Sequence, residues 1–139
     1  MTSNDSRVPL DLPVSVTMRQ LPVTVPPSAT VADVMFRMRN ENIGAVIVVD
    51  DGRPVGIITE RDVLRRAIQE GKDVYTTHAQ EVMSTPLLTI EAERPIKEAL
   101  ELMRAKTIRR LAVTKHGALV GLATERRLLE AIVRWGYAM

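Results

Sequence analysis

A gapless internal repeat constrains this chain more than any other feature of its sequence. The offset is 65 residues, and it aligns Met18 with Met83 and Leu64 with Leu129. The longest identical segment is Thr59-Glu60-Arg61 with Thr124-Glu125-Arg126, and Val55-Gly56 with Val120-Gly121 precedes it. Because half of a 139-residue chain buries too little surface alone, the repeat predicts two small halves that share one core.

Each copy has the hydrophobic pattern of a β-α-β-β-α unit. In the first copy a short strand, Val23-Thr24-Val25, precedes an amphipathic helix. The run Val46-Ile47-Val48-Val49 is short and β-branched, which favours a buried strand. Asp50-Asp51-Gly52-Arg53 predicts a hairpin turn, and the next strand leads into a helix at Thr59. The second copy repeats this order, which predicts an α/β (α+β) fold with two tandem repeats packed through their sheets with pseudo-twofold symmetry.

The same repeat sets the predicted domain boundaries. We predict a flexible N-terminal tail over residues 1–13, a first repeat over residues 14–72 and a second repeat over residues 73–139. Gly71-Lys72-Asp73 marks the stretch between the copies. The two repeats form one shared module rather than two independent domains.

Composition excludes several classes of function. The chain has no cysteine, which rules out disulfides, thiol nucleophiles and Cys-ligated zinc. No stretch approaches the roughly 20 apolar residues of a spanning helix, so we expect a cytoplasmic protein that does not enter a membrane. Aromatic residues make up only 3% of the chain and its net charge is +2, which argues against nucleic acid as a partner. His78 and His116 lack metal-ligating neighbours in sequence, so neither a metal site nor a Ser-His-Asp set is expected.

A shared motif closes the last strand of each copy. It is Gly56-Ile57-Ile58-Thr59-Glu60-Arg61-Asp62 in the first copy and Gly121-Leu122-Ala123-Thr124-Glu125-Arg126-Arg127 in the second. Together with the element order and the duplication, the motif resembles the CBS (cystathionine-β-synthase-like) domain family over about residues 14–134. The resemblance implies a Bateman-type pair that binds an adenosine-containing ligand and is not an enzyme. It also implies that the pair regulates a separate protein, which the sequence does not identify, and forms a homodimer through its exposed helices. No cofactor is required; AMP, ADP or ATP is the expected ligand, while NAD and S-adenosylmethionine share the same ribose and adenine contacts.

The motif of the first copy also offers suitable chemistry without the family. Gly56 permits close approach of the backbone, and the free N–H groups at the helix start suit an anion. Thr59 supplies a hydroxyl, Asp62 is an acceptor that can take both hydroxyls of a ribose, and Arg61 can face a phosphate. The resemblance implies the same roles: Asp62 on ribose, Thr59 on ribose or the α-phosphate, and Arg61 on phosphate.

The resemblance also implies where the adenine would lie. It points to an apolar slot formed by the first strand and the start of the second, here Val23, Thr24, Ile43 and Ala45. Gly44, Gly56, Ile57 and Ile58 complete the predicted ligand-binding set.

The second copy departs from the first at the positions that carry this chemistry. Arg109 and Arg110 stand where the first copy has Gly44 and Ala45, and Arg127 replaces the ribose acid. The resemblance implies that Arg110, together with Arg109, meets the phosphates across a cleft from the Asp62 motif. Because Arg127 cannot accept ribose hydroxyls, we expect one nucleotide per chain.

Other readings of these residues remain open. Thr59 and Asp62 fit a capping box that binds nothing, which would leave a structural or partner-interaction module without ligand. The pair Arg109-Arg110 fits a solvated edge. The three arginine pairs at 65–66, 109–110 and 126–127 also fit a nucleic-acid-associated protein.

Overall fold

The computed structural model describes residues 10–20 and 22–136, and the chain forms two compact units. The first, named here the Asp62 unit, is Pro22–Leu87. The second, the Arg127 unit, combines residues 10–20 with residues 88–136. The chain therefore passes between units near residues 21 and 87, whereas the repeat boundary proposed from the sequence lies between residues 72 and 73.

The order of elements repeats along the described part of the chain. Its strands are β1 (Arg19–Gln20), β2 (Thr24–Val25), β3 (Ala45–Asp50), β4 (Arg53–Thr59), β5 (Thr89–Glu91), β6 (Arg110–Lys115) and β7 (Ala118–Thr124). Its α-helices are α1 (Val31–Glu41), α2 (Glu60–Val63), α3 (Ala79–Val82), α4 (Ile96–Lys106) and α5 (Glu125–Gly136). A 3-10 turn covers Val14–Val16, and a π-helical turn over Leu64–Ile68 continues α2. The order β-α-β-β-α occurs twice, which confirms the predicted mixed fold.

Each unit contains one sheet with a parallel pair and a hairpin, and the sheet of the Arg127 unit has β1 as a fourth strand, antiparallel to β7. In the Asp62 unit the strand order is β2-β3-β4, with β2 parallel to β3 and β3 antiparallel to β4. In the Arg127 unit the order is β1-β7-β6-β5, with β5 parallel to β6 and β6 antiparallel to β7. Ala45 is paired with Thr59 and Arg110 with Thr124, so the two hairpins keep the 65-residue register of the sequence.

Both hairpins turn through residues with left-handed backbone angles. Asp51 and Gly52 have φ angles of 51° and 78°, and His116 and Gly117 have φ angles of 53° and 84°. Positive φ at both central residues is what a two-residue type I′ turn requires. The predicted turn chemistry is therefore the observed one in both copies.

A carboxylate anchors the second hairpin. Glu91, at the end of β5, accepts hydrogen bonds from the Thr114 hydroxyl and from the His116 backbone N–H, the latter at 3.0 Å. The Thr114 hydrogen bond, followed by the bond from His116, holds the pKa of Glu91 below its usual value. Pro26 occupies the equivalent position of the first copy and cannot make these contacts.

The helices α1 and α4 bury equivalent residues against their sheets. These are Val31, Val34 and Met38 in α1, and Ile96, Ala99 and Met103 in α4. Thr30 begins α1 with a capping box, because Asp33 N donates to Thr30 Oγ1 at 3.1 Å and Thr30 N donates to Asp33 Oδ2 at 3.2 Å. Helix α4 begins after Pro95 without a side-chain cap.

The predicted buried strand of the first copy lies at the centre of the Asp62 unit. Val46, Ile47 and Val48 in β3 are each at most 1% exposed. Val46 and Val48 belong to the same apolar cluster as Ile58 and the buried face of α1. This alternation places Ile47 on the opposite face of the sheet.

The segment before the first 3-10 turn differs from the predicted flexible tail of residues 1–13. Residues 1–9 of that tail lie outside the described part of the chain. Within residues 10–13, Leu10 and Leu12 pack against the core of the Arg127 unit, and their carbonyls accept hydrogen bonds from Lys97 N and Ile96 N at 3.0 and 2.8 Å. This segment is held in the fold because it satisfies N–H groups at the uncapped start of α4. Within residues 10–20 and 22–136, no helix combines the length and apolar character needed to cross a membrane.

Candidate ligand-binding site

The predicted site is centred on the junction between β4 and α2. Thr59 ends β4 and is the N-cap of α2. Its Oγ1 accepts a hydrogen bond from Asp62 N at 3.2 Å, and Asp62 Oδ2 accepts one from Thr59 N at 2.9 Å. The capping box considered from the sequence is therefore present in the structure.

Asp62 makes more contacts than a cap requires. The Thr59 hydroxyl lies 3.0 Å from Asp62 Oδ2, and the Ser84 hydroxyl lies 3.0 Å from Asp62 Oδ1. The Arg66 Nε atom is 3.9 Å from the same Oδ1. Only 13% of the Asp62 side chain is exposed, so the carboxylate is a partly desolvated group held by several donors.

Gly56 is approached closely, and the atoms that approach it belong to Met83 and Ser84 of the same chain. A Cβ on Gly56 would lie 2.6 Å from Met83 Sδ and 3.1 Å from the Ser84 carbonyl oxygen. Ile57 and Ser84 exchange backbone hydrogen bonds of 3.1 and 2.8 Å. Ile58 is fully buried and its side chain belongs to the core of the Asp62 unit.

The structure brings the predicted adenine residues beside this junction. Glu60 N donates to the Gly44 carbonyl at 3.1 Å, and Ala45 is paired with Thr59. On the other side of β3, Ile47 N donates to the Val23 carbonyl at 3.0 Å, and Thr24 is paired with Ile47. Ile43 is buried, Val23 and Ala45 are half-buried, and Thr24 and Gly44 are exposed.

A pocket of about 490 Å³ opens next to the junction, between the end of α1 and the start of α2. Its volume falls in the range of small-molecule sites, roughly 300 to 1,000 Å³. Of the predicted ligand-binding residues, it is lined by Ile43 and Gly44; its other lining residues are Met35, Met38, Arg39, Asn42, Glu60 and Val63. Thr59 and Asp62 do not line it, so this pocket is distinct from the predicted ribose contacts.

The equivalent junction of the Arg127 unit has the same backbone and different side chains. Glu125 N donates to the Arg109 carbonyl at 2.9 Å, as Glu60 N does to Gly44. Arg127 N donates to Thr124 Oγ1 at 3.1 Å, so the hydroxyl half of the capping box remains without the acid. These contacts establish that Arg109, Arg110 and Arg127 occupy the positions of Gly44, Ala45 and Asp62. The predicted contact of Arg109 and Arg110 with phosphates stays a prediction.

The CBS domain family model matches this sequence twice, over residues 12–68 and 79–134. The chain belongs to the CBS domain family. This confirms the resemblance that rests on the repeated motif and the element order.

Relatives of this CBS pair place it within a broad family. An uncharacterized protein of Methanopyrus kandleri is 36% identical over 110 residues, which cover 78% of this chain and 56% of the relative, so the chain spans little more than half of that protein's length. A CBS domain protein of Pyrobaculum aerophilum, solved in complex with AMP, has a TM-score of 0.77 and 28% identity over 92% of this chain and 100% of its own. A hexameric CBS-CP12 protein from bloom-forming cyanobacteria has a TM-score of 0.80 and 28% identity over 91% of this chain and 71% of its own.

Two residues that contact Asp62 were not predicted from the sequence. Arg66 lies one helical turn beyond Asp62, so the i,i+4 spacing of acid and base was a usable signal. Ser84 lies 22 residues away, and only its pairing with Ile57 brings it to the carboxylate. Within the described ranges, no group of three or more His, Asp or Glu side chains could hold a metal ion.

Proposed function

We propose that this CBS pair is a non-catalytic regulatory module that binds an adenine nucleotide, AMP, ADP or ATP, at the junction of β4 and α2. The observation that carries the proposal is the complete Gly56–Asp62 motif, with a hydroxyl and a partly buried carboxylate at the end of a strand. The AMP bound to a relative that matches nearly the whole chain supports the choice of ligand. A signal then passes to a partner protein or through a change in assembly.

Different residues of the junction contact different parts of the nucleotide. Asp62 accepts the ribose hydroxyls, and Thr59 contacts the ribose or the α-phosphate. Arg61 is exposed, and among the described residues no carboxylate lies within 4.0 Å of its guanidinium, which leaves it free to meet a phosphate. The adenine lies against the apolar side chains of Val23 and Ala45, which are half-buried, and of Ile43, which is buried.

Calorimetric titration of the parent protein against AMP, ADP, ATP, NAD, S-adenosylmethionine and adenosine tests this proposal. Asp62→Asn keeps the size of the side chain and removes its charge. We expect it to weaken binding of the preferred nucleotide by about tenfold to a hundredfold, because hydrogen bonds to charged groups are worth about 1.5 to 3 kcal/mol.

Asp33→Asn is a matched control, because Asp33 is the acid of the other capping box in the same unit. Both substitutions disturb a cap, so Asp33→Asn shows what the loss of a cap acid alone does to the melting temperature and to binding. Only Asp62→Asn should change nucleotide affinity. If Asp62→Asn binds every nucleotide as tightly as the parent does, the assignment of Asp62 to the nucleotide site is wrong.

A ligand-free interaction module is the second candidate, and one observation favours it. The Asp62 carboxylate already accepts hydrogen bonds from Thr59 and Ser84. A titration in which no adenine ligand binds at millimolar concentration would select this alternative.

We propose in addition that the module assembles through its exposed helical residues. In the Asp62 unit these are Phe36 at 62% exposure and Leu64 at 51%; in the Arg127 unit Leu129 at 60% occupies the position equivalent to Leu64. Burial of large exposed apolar side chains against a second copy removes them from water. Light scattering of the 15.5 kDa chain should give a dimer mass that Phe36→Ser combined with Leu64→Ser reduces, whereas a monomer across micromolar concentrations would contradict it.

A further inference from the structure

The lone pairs of Asp62 are nearly all in use. A carboxylate offers about four acceptor positions. Thr59 N and the Thr59 hydroxyl occupy Oδ2 at 2.9 and 3.0 Å, and the Ser84 hydroxyl occupies Oδ1 at 3.0 Å. The two adjacent hydroxyls of a ribose are two donors, and about one position is left for them. A ribose that uses both of its hydroxyls must therefore displace one of the present donors.

Ser84 is the donor that can leave without undoing the helix start. The bond from Thr59 N belongs to the capping box, and the Thr59 hydroxyl is fixed because it also accepts from Asp62 N at 3.2 Å. The Ser84 hydroxyl belongs to a different segment, and the structure shows one hydrogen bond for it, to Asp62. A rotation about its Cα–Cβ bond is enough to release Oδ1.

Hydrogen bonds to the backbone of Met83 and Ser84 position the Ser84 hydroxyl next to Asp62. Ser84 exchanges backbone hydrogen bonds with Ile57, and Arg66 Nη1 donates to the Met83 carbonyl at 2.8 Å. Arg66 Nε also lies 3.9 Å from Asp62 Oδ1. The same arginine therefore contacts the proposed ribose acid and the segment that competes for it.

The Arg127 unit shows that the backbone pairing does not need this side-chain contact. Arg19 and Leu122, at the positions equivalent to Ser84 and Ile57, are paired in the same way. Arg127 stands in place of Asp62 and Ala131 in place of Arg66, so neither the acid nor the arginine of the first copy is present at these positions. The Ser84–Asp62 hydrogen bond is an addition to the fold, found in the unit that carries the complete binding motif.

We propose that Ser84 is a built-in competitor for the ribose site, whose hydroxyl occupies Asp62 until a ribonucleotide displaces it. The inference rests on the proposed function and adds its regulation. The need to displace this hydroxyl lowers the apparent affinity for the nucleotide. The sugar, rather than the base or the phosphates, is the part of the ligand that displaces the Ser84 hydroxyl from Asp62.

Ser84→Ala tests the proposal by titration with AMP and with 2′,3′-dideoxy-AMP. Without the competing hydroxyl, we expect AMP to bind about three- to tenfold more tightly than in the parent, the effect of one hydrogen bond that no longer has to be broken. The dideoxy nucleotide has no hydroxyls to exchange with Ser84, so its affinity should not change. Thr85→Ala, one exposed residue further along, is the matched control and should leave both affinities at the parental value.

Ser84→Thr keeps the hydroxyl and should restore parental affinity for AMP, which separates loss of the hydroxyl from damage to the fold. Equal or weaker AMP binding by Ser84→Ala, with a parent that does bind AMP, overturns the competitor role and leaves the proposed function standing. An equal gain for AMP and for the dideoxy nucleotide also overturns it, because the sugar would then not matter. Absence of binding by the parent and by Ser84→Ala alike overturns both the competitor and the proposed function.

Discussion

Substitution of Gly56 by alanine gives a direct measure of how tightly the Met83–Ser84 segment is packed on β4. An added Cβ would lie 2.6 Å from Met83 Sδ, 3.0 Å from Met83 Cγ and 3.1 Å from the Ser84 carbonyl oxygen. The methionine can rotate away, but the carbonyl is fixed by its hydrogen bond to Ile57 N. Overpacking of this kind costs about 1 to 3 kcal/mol. At about 2.1 cal/mol/K of unfolding entropy per residue, a 139-residue chain that unfolds in one transition should lose roughly 3 to 10 °C in melting temperature.

Differential scanning calorimetry of two further variants assigns the cause of this loss. Gly44→Ala is the control: its Cβ would meet only Glu60 Oε1 at 3.1 Å and Glu60 Cδ at 3.7 Å, the mobile end of a side chain. It should change stability by no more than about 0.5 kcal/mol. Met83→Ala removes the two nearest atoms, so the double variant with Gly56→Ala should show a coupling of about 1 kcal/mol or more. A Gly56→Ala melting temperature equal to the parent's, or strict additivity with Met83→Ala, would refute the packing argument.

Three further outcomes follow from individual contacts. Thr30→Ala should lower the free energy of unfolding by about 1 kcal/mol in a urea titration, with no effect on nucleotide binding, because it removes the cap of α1 alone. Glu91→Gln should destabilise the protein at neutral pH, because the folded-state pKa of Glu91 is lowered and its ionised form therefore stabilises the fold above the usual pKa of 4.5. This contribution is lost as the pH falls through the lowered pKa, so the melting temperatures of parent and variant should converge in acid. A difference in melting temperature that stays constant across that pH range would contradict the prediction. Calorimetric titration should give one nucleotide per chain, and two equal sites would show that the Arg127 junction also holds a ribose.

The repeat in the sequence was sufficient to predict most of the fold. Hydrophobic periodicity located α1 and the buried strand β3, and the Asp51-Gly52 pair located the first hairpin. These features depend on residues close together in sequence, which is why they could be read without a structure. The segment at residues 10–13 could not be, because its order comes from hydrogen bonds to the distant start of α4.

At the candidate site, the sequence predicted the local cap but not the long-range contacts of its acid. Thr59 and Asp62 were expected either to bind ribose or to form a capping box, and the capping box is observed. Ser84 could not be anticipated, since 22 residues separate it from Asp62 and its place depends on a single isolated bridge to β4. Local motifs thus identified the acid, and long-range pairing determined what the acid contacts.

Capping alone does not account for Asp62, and two other helix starts in the same chain show why. At the start of α1, Asp33 performs the capping function as an exposed side chain with one hydrogen bond, from Thr30 N. At the start of α5, Arg127 replaces the acid altogether and a twelve-residue helix still forms. Asp62 is 13% exposed and accepts three hydrogen bonds, although burying a charge costs free energy that a cap worth about 1 kcal/mol does not recover. On the proposed function, a polyhydroxyl ligand enters by replacing the hydrogen bond from Ser84 with one of its own, while the two donors from Thr59 stay in place.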